Sequence, residues 1–349
     1  MAEAGTLQWG FNPGQAYVKN SVIGPDHQRH DLAPFPAVIA PMAESDSLGM
    51  VSSQTLRATV GEHEYIGGTQ AVRLPLAQRQ QAEGRLGAES VMYSALVQMS
   101  WQAARLPVGM PVAIATALPV TWRQQEGAGA QMEAHIRNGL HGLADVQDVW
   151  VQSEPGAVIY HELLTDQGGF RPDQRDLASG LVAVGDIGGS TLNYSLVENL
   201  EALPGQSKSP YLGSRRPIEA LAQERGVQLP DAERMLRDAL THPEDDSGAV
   251  RHLRFYRESV IAELQSAWTG FHPVAYLFAG GTVHWFTVPQ KGGGTANLLQ
   301  MTFGPRVRLL ENSQQAIAIG LCRFVVRRMS TQGQAGQSGQ ARTRRKQAS

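Results

Sequence analysis

Asp186, Gly188, Gly189, Ser190 and Thr191 stand together between two apolar runs in the stretch LVAVGDIGGSTLNYSLV, Leu181 to Val197. This combination suits anion chemistry. Glycines let backbone N–H groups approach a phosphate closely, the hydroxyls add donors, and an aspartate can hold a hydrated Mg²⁺. A Gly-Gly step between two strands is also an ordinary hairpin turn, and the stretch by itself leaves both readings open.

Three further places carry residues of similar potential. In NPGQAYVK, Asn12 to Lys19, a Gly-containing turn separates Leu7–Phe11 from Tyr17–Ile23, with Asn12, Gln15 and Lys19 at its polar tip. A lysine just past such a turn can aim a cation at a phosphate, or can simply be solvated beside it. Gln152 and Glu154 flank a strand-to-helix junction, because Pro155-Gly156-Ala157 starts a helix. Either side chain can reach into a cleft there, although an acid at Glu154 is equally what a helix N-terminus favours. The apolar run Val274–Ala279 ends in Gly280, Gly281 and Thr282, and a strand ending in Gly-Gly at the mouth of a parallel sheet is a frequent place of ligand contact.

The elements that must position these groups alternate between strand and helix. Phe35–Ala40, Val112–Val120 (ending at Pro119) and Val146–Val151 read as strands, and Glu64–Val72 as a turn between strands. Apolar residues at helical spacing predict helices over Glu89–Arg105, Pro217–Gly226, Pro230–Leu240, His252–Trp268 and Gln315–Arg327. Met92, Met99 and Trp101 fall on the packed side of the first of these. Asp166–Ser179, polar with Gly168, Gly169 and Pro172, reads as the link between two lobes. Lys291–Thr295 is a flexible loop without Walker A spacing. From Thr331 the composition turns to Gln, Gly, Ala and Ser and ends in Arg342, Arg344, Arg345 and Lys346. Such a segment buries too little to order itself, and is a solubilising tail in preference to a contact for DNA or an acidic partner.

Composition bounds the rest. At 349 residues the chain can hold two full cores, and 42% hydrophobic with 18% charged residues is ordinary for a globular protein. A net charge of −2 gives no bulk case for direct nucleic-acid or membrane binding. The lone cysteine, Cys322, lies in an apolar run and excludes an internal disulfide framework. MAEAGTLQWG has no signal-peptide pattern, and no apolar stretch is long enough to span a bilayer, so a cytoplasmic protein is expected. No zinc-ligand spacing and no GxSxG elbow occurs; His27 and His30, near Asp31, read as a surface loop.

In order along the chain, NPGQAYVK, the Gln152–Glu154 junction, DIGGSTLNY and FAGGTVHWF resemble the phosphate-1, connect-1, phosphate-2 and adenosine motifs of the actin-like ATPases. Within that superfamily the chain is most similar to the bacterial plasmid-segregation actins of the ParM/StbA type, through GGSTLNYSLV, FPAVIA, IATALPV and QSEPGAVIYHEL. The resemblance runs from about Leu7 to Arg327. It implies an α/β fold of two RNase H-like lobes around a nucleotide cleft: lobe I over 1–168, completed by a C-terminal helix at 313–330, and lobe II over 169–312, with 331–349 a disordered tail. It implies ATP and Mg²⁺ as ligands, hydrolysis coupled to a homopolymeric filament, and a DNA-bound adaptor as a partner. Carried over by position, Gly14, Gln15, Ala16 and Lys19 belong to the first phosphate loop. Asp186, Gly188, Gly189, Ser190 and Thr191 belong to the second, and Gly280, Gly281 and Thr282 lie against the adenosine. Gln152 or Glu154 orients the attacking water, Asp186 being the main acidic group. Family members usually carry Asp at the positions of Asn12 and Asn193, so Mg²⁺ affinity or turnover is expected to be weaker here. A scaffold that binds nucleotide without hydrolysing it and a monomeric metabolite kinase are the alternatives.

Overall fold

The computed structural model describes residues 5–14, 16–42, 54–75, 78–81, 91–244, 246–289 and 294–347, with only backbone described from 332 onward. Gln15 and residues 291–293 of the KGGGT loop lie outside the described residues.

In the N-terminal half, β1 (Leu7–Pro13), β2 (Tyr17–Ile23) and β3 (Arg29–Pro36) form an antiparallel meander. The run FPAVIA, expected as one strand, is broken. The chain leaves the meander at Pro36, and β4 (Val38–Pro41) joins a separate sheet with β5 (Leu56–Val60), β6 (His63–Gly67) and β7 (Gln80–Gln81). Proline has no N–H with which to continue a ladder. The next donor, Ala37 N–H, is spent on the Ala16 carbonyl at 3.0 Å, which ties the β1–β2 tip to this corner. EYIGGTQAV also departs from the turn between strands that was expected. β6 runs straight into a helical turn, α1 (Thr69–Val72), with the junction at Gly68, φ +65°.

There follow α2 (Val91–Ala103), β8 (Met110–Leu118), α3 (Val120–Arg123), α4 (Ala128–Leu140), β9 (Ala144–Ser153) and α5 (Glu154–Leu163). β8 pairs in parallel with both β1 and β9, giving the order β3-β2-β1-β8-β9. A parallel strand covered on both faces reads as one apolar run, as MPVAIATAL does. Met92, Met99 and Trp101 are buried beside Trp9 and Phe11, in agreement with their helical spacing.

The second half repeats the plan. Beyond a short helix, α6 (Asp176–Ser179), β10 (Leu181–Ile187), β11 (Leu192–Glu198) and β12 (Glu201–Lys208) form another meander. Three helices, α7 (Arg215–Arg225), α8 (Leu229–Thr241) and α9 (Ser247–Trp268), lead to β13 (Ala275–Ala279). A small hairpin, β14 (Thr287–Pro289) with β15 (Thr295–Asn297), precedes α10 (Leu298–Phe303) and β16 (Val307–Leu309). The sheet order is β12-β11-β10-β13-β16, with β13 parallel to β10 and β16.

One layer joins the lobes. α5 and the last helix, α11 (Ala316–Gln347), share an apolar core with Ala113, Ala115 and Ala117 of β8, Val182 and Val184 of β10 and Leu277 of β13. α11 continues to Gln347, through the segment expected to be disordered. Lengthening an existing helix needs no new nucleus, so Gln, Ala and Arg suffice to propagate it. Cys322, on the packed part of α11, is buried, and burial pushes its thiol up to about 12. Among the described residues no helix is long and apolar enough to cross a membrane.

The packing of α11 on β1 depends on Gly10. A Cβ there would stand 1.9 Å from the Ala318 carbonyl oxygen and 2.6 Å from the Cys322 nitrogen, both backbone atoms that cannot swing away. Gly10→Ala is therefore expected to destabilise the fold by on the order of 2–3 kcal/mol, read as a lower urea midpoint at unchanged slope.

Candidate functional site

Both meanders turn at the same point, between their first and second strands, and the two turns face each other. In the first, Gly14 N–H donates to the Asn12 carbonyl at 3.0 Å, and the Lys19 ammonium lies 3.7 Å from where a Gly14 Cβ would stand. In the second, Gly188 N–H donates to the Thr191 carbonyl at 3.0 Å. A Cβ on Gly189 would come within 3.3 Å of the Ala16 Cβ, so the tips meet across a crevice with glycine on one side and alanine on the other. Asn12, Gly14, Ala16, Lys19, Gly188, Gly189, Ser190, Thr191 and Asn193 all line this crevice.

The acidic groups stand at its floor. Asp186 ends β10, is 9% exposed, and its Oδ1 is buried without a hydrogen-bond partner. Gly280 explains how the carboxylate fits: at φ +104° a Cβ would lie 2.6 Å from Asp186 Oδ1 and 2.3 Å from the Ile187 carbonyl oxygen. Gly280 is not among the cleft-lining residues and instead makes room for Asp186, while Gly281 and Thr282 do line the cleft. Both Thr282 N–H (3.3 Å) and its hydroxyl (2.7 Å) are donated to the Ile187 carbonyl, which fixes the strand end that carries Asp186.

Glu154 opens α5, whose Ser153 cap accepts from Gly156 N–H at 3.3 Å. Its carboxylate accepts a 3.4 Å hydrogen bond from Asn193 Nδ2, and it faces Asp186, Lys19 and Tyr93. Desolvation on the cleft floor, and next the Asp186 charge, push its pKa up to about 8 against the opposing pull of Lys19. The Tyr93 phenol is in turn pushed up, first by burial and then by Glu154. Gln152 pairs with Ala117 inside the sheet and is not among the cleft-lining residues.

An orphaned, buried carboxylate oxygen and the buried amide of Asn12, both from residues that line the cleft, form a hard-oxygen donor set that suits Mg²⁺. No cluster of three or more His, Cys, Asp or Glu able to hold a metal occurs among the described residues. The set therefore fits an ion that keeps most of its water and ligand oxygens, as Mg²⁺ does, and not a closed protein cage.

The far end of the cleft was not anticipated. Glu233 and Arg237 of α8 line it, ion-paired at 2.6 Å, with His284 and Gln314. Burial first, and then Arg237, lower the His284 pKa, opposed by a hydrogen bond to the Gly281 backbone. An i,i+4 acid–base pair on an amphipathic helix reads as a solvated face, so no local pattern marks Glu233 and Arg237. Tyr93 and Trp122 close the crevice from lobe I. Both look like core aromatics in the sequence.

Glu154 yields a pH test. Its folded pKa of about 8 exceeds the ordinary carboxylate value of 4.5, so the native state keeps a proton that the unfolded chain has lost. Stability must then fall as pH rises through that window and level off above it. In EDTA and without nucleotide, Glu154→Gln is expected to match wild type near pH 4.5. By pH 9 it should be more stable by on the order of 1–2 kcal/mol, since cleft water screens part of the effect. Parallel stability curves from pH 4.5 to 9 would contradict this placement of the carboxyl.

No protein-family model matches the chain, and no curated protein matches it. Solved structures match in shape. The apo ParM protein of pSK41 gives a TM-score of 0.64 at 15% identity, over 91% of this chain and 96% of that chain. ParM of Bacillus thuringiensis, solved with ATP, gives 0.62 at 14% identity, over 94% and 99%. The Alp12 filament structure gives 0.61 at 15% identity, over 93% and 99%. Two sheets of one plan, a shared helical layer and an interlobe cleft between paired hairpins give this chain the actin-like fold.

Proposed function

We propose that the chain binds ATP with Mg²⁺ in this cleft, hydrolyses it slowly, and assembles with copies of itself into nucleotide-dependent filaments that position plasmid DNA through a DNA-bound adaptor. The observation that carries the reading is the meeting of two bare turns from separate lobes, Ala16 Cβ being 3.3 Å from the Gly189 Cβ position. Backbone so exposed on both sides suits a row of phosphates, with N–H donors from each lobe and the Lys19 ammonium at the edge. Asp186 and Asn12 would hold the hydrated ion, which when bound supplies neutralisation of phosphate charge. Glu233, Arg237, His284, Gln314 and the Gly281–Thr282 step would enclose the nucleoside.

Between the two candidates for orienting the attacking water, the cleft supports Glu154 over Gln152. Slow turnover follows from the same group, because a carboxyl with a pKa of about 8 is mostly protonated at neutral pH and a poor proton acceptor. The structural neighbours support the wider reading: one ParM was solved with ATP and Alp12 as a filament. Closure of the lobes on a triphosphate would change the subunit surface, and head-to-tail contacts that do not close on themselves give filaments.

Pelleting of the chain is expected with ATP or a non-hydrolysable analogue and Mg²⁺, with much less in ADP. Equal pelleting in all states, or none in any, would refute nucleotide-controlled assembly. Lys19→Ala should weaken ATP binding about 10–100-fold in calorimetry, the contribution of one charge-assisted contact. Asn12→Asp should tighten Mg²⁺ binding severalfold in calorimetry, by adding a charged oxygen for the hydrated ion.

A further inference from the structure

The second hairpin tip is held open from behind by the segment that starts α7. Three successive carbonyls of the tip are occupied. Gly188 O accepts from Ser214 N–H at 3.1 Å, Gly189 O from Arg215 N–H at 2.8 Å, and Ser190 O from Gly213 N–H at 3.2 Å. These donors belong to the start of a helix, where N–H groups have no intrahelical partner. Ser214 makes no side-chain cap, since the Arg216 N–H is donated to the Gly213 carbonyl and Pro217 has no N–H, and Ser214 is among the residues that line the cleft.

A trans peptide points its C=O and the following N–H in opposite directions. Carbonyls of Gly188, Gly189 and Ser190 drawn towards α7 therefore turn the N–H groups of Gly189, Ser190 and Thr191 away from it. No backbone carbonyl among the described residues accepts from those three N–H groups. The opposite side is the crevice, because the nearest atom to a Gly189 Cβ is the Ala16 Cβ of the facing hairpin. Gly213 sets how closely the brace can seat. A Cβ on it would stand 2.2 Å from the Gly189 oxygen and 2.4 Å from the Gly189 and Ser190 carbonyl carbons.

From this geometry we infer that Gly213, Ser214 and Arg215 are positioning residues whose backbone N–H groups aim three N–H donors of the second hairpin at the phosphates of a bound nucleotide. The inference rests on the nucleotide reading above and adds a brace outside all of the motifs in the chain. Ser214 offers a clean deletion of one strut. Its φ of −64° is the value that proline imposes, so Ser214→Pro keeps that torsion, removes the donor to Gly188 O and sets a ring carbon against the same oxygen, which drives the tip off its strut. Ser214→Ala removes only the hydroxyl and keeps the N–H.

The test is calorimetric binding of ATP, tripolyphosphate and adenosine to the full-length chain and to Gly213→Ala, Ser214→Pro and Ser214→Ala, with thermal unfolding measured alongside. Gly213→Ala and Ser214→Pro are expected to lose at least tenfold in affinity for ATP and tripolyphosphate, with adenosine within twofold of wild type and Ser214→Ala much closer to wild type than Ser214→Pro. Equal losses for adenosine and ATP would make the segment a merely structural support and overturn the inference. Unchanged ATP affinity in both main variants would overturn it as well, leaving nucleotide binding intact. A wild-type chain that binds neither ATP nor tripolyphosphate would instead sink the nucleotide reading, and the inference with it.

Discussion

The structure depends on the absence of side-chain carbon around its second hairpin. Gly189 faces Ala16 across the crevice, Gly280 leaves space for the Asp186 carboxylate, and Gly213 seats against the Gly189–Ser190 peptide. At each point a methyl group would fall at or inside contact distance of the opposing atoms. The crevice is therefore walled by peptide groups, which carry permanent dipoles and cannot rotate away. A site built like this recognises an anion by the direction of its N–H groups more than by net charge. That is consistent with a chain whose overall charge is close to zero.

Directed peptides are useful only if the lobes keep their relation to one another. α5 and α11 lie between the sheets, and their shared core reaches β8 on one side and β10 and β13 on the other. Glycines again set the distance: Gly320 of α11 lies so close to α5 that a Cβ would be 1.8 Å from the Ala157 carbonyl oxygen. Below this layer, Asp166 accepts from Arg29 of β3 and Arg323 of α11, each at 2.7 Å, which fastens the start of the interlobe link to lobe I. The cleft thus has a stiff floor. The chain passes between the two halves through the segment beyond Phe170 and the turn around Asn312, the latter in the left-handed region at φ +50°.

Much of this was legible because the decisive residues are short-range signals. Glycine beside acid and hydroxyls marked the second hairpin, a Gly-bearing turn with Asn12, Gln15 and Lys19 marked the first, and Pro155-Gly156-Ala157 marked the start of α5. What escaped was whatever the fold assembles from distant pieces. FPAVIA reads as one strand because apolar character persists through it, whereas the ladder ends where Pro36 lacks an N–H and the strand divides between two sheets. Glu233 and Arg237 carry no local mark, since their part in the cleft exists only once α8 lies across from Gly281. Gln152 and Glu154 are not separated by spacing alone; in the structure Gln152 pairs with Ala117 in the sheet, while Glu154 begins the helix and lines the cleft. The matching plan of the two sheets is invisible in sequence, because strand order is not written in residue identity.

The charges at the phosphate end connect the two asparagines with Glu154. Asp186 is the acid with an unpartnered oxygen, Lys19 a nearby cation, and Asn12 and Asn193 are neutral amides lining the same cleft. Two more carboxylates here would push Glu154 still further from ionisation, since its raised pKa already owes part of its shift to Asp186 alone. Neutral amides avoid that repulsion and keep the hydrogen-bonding shape, as the Asn193–Glu154 contact shows. Amides at these positions have two consequences that run in opposite directions. An incoming polyphosphate meets less negative charge, which favours binding, while a divalent cation finds fewer oxygens that carry charge. Glu154 is the group on which these tendencies meet. A positive charge brought near it would lower its pKa and favour the ionised carboxylate, while the negative charge of a polyphosphate would raise it.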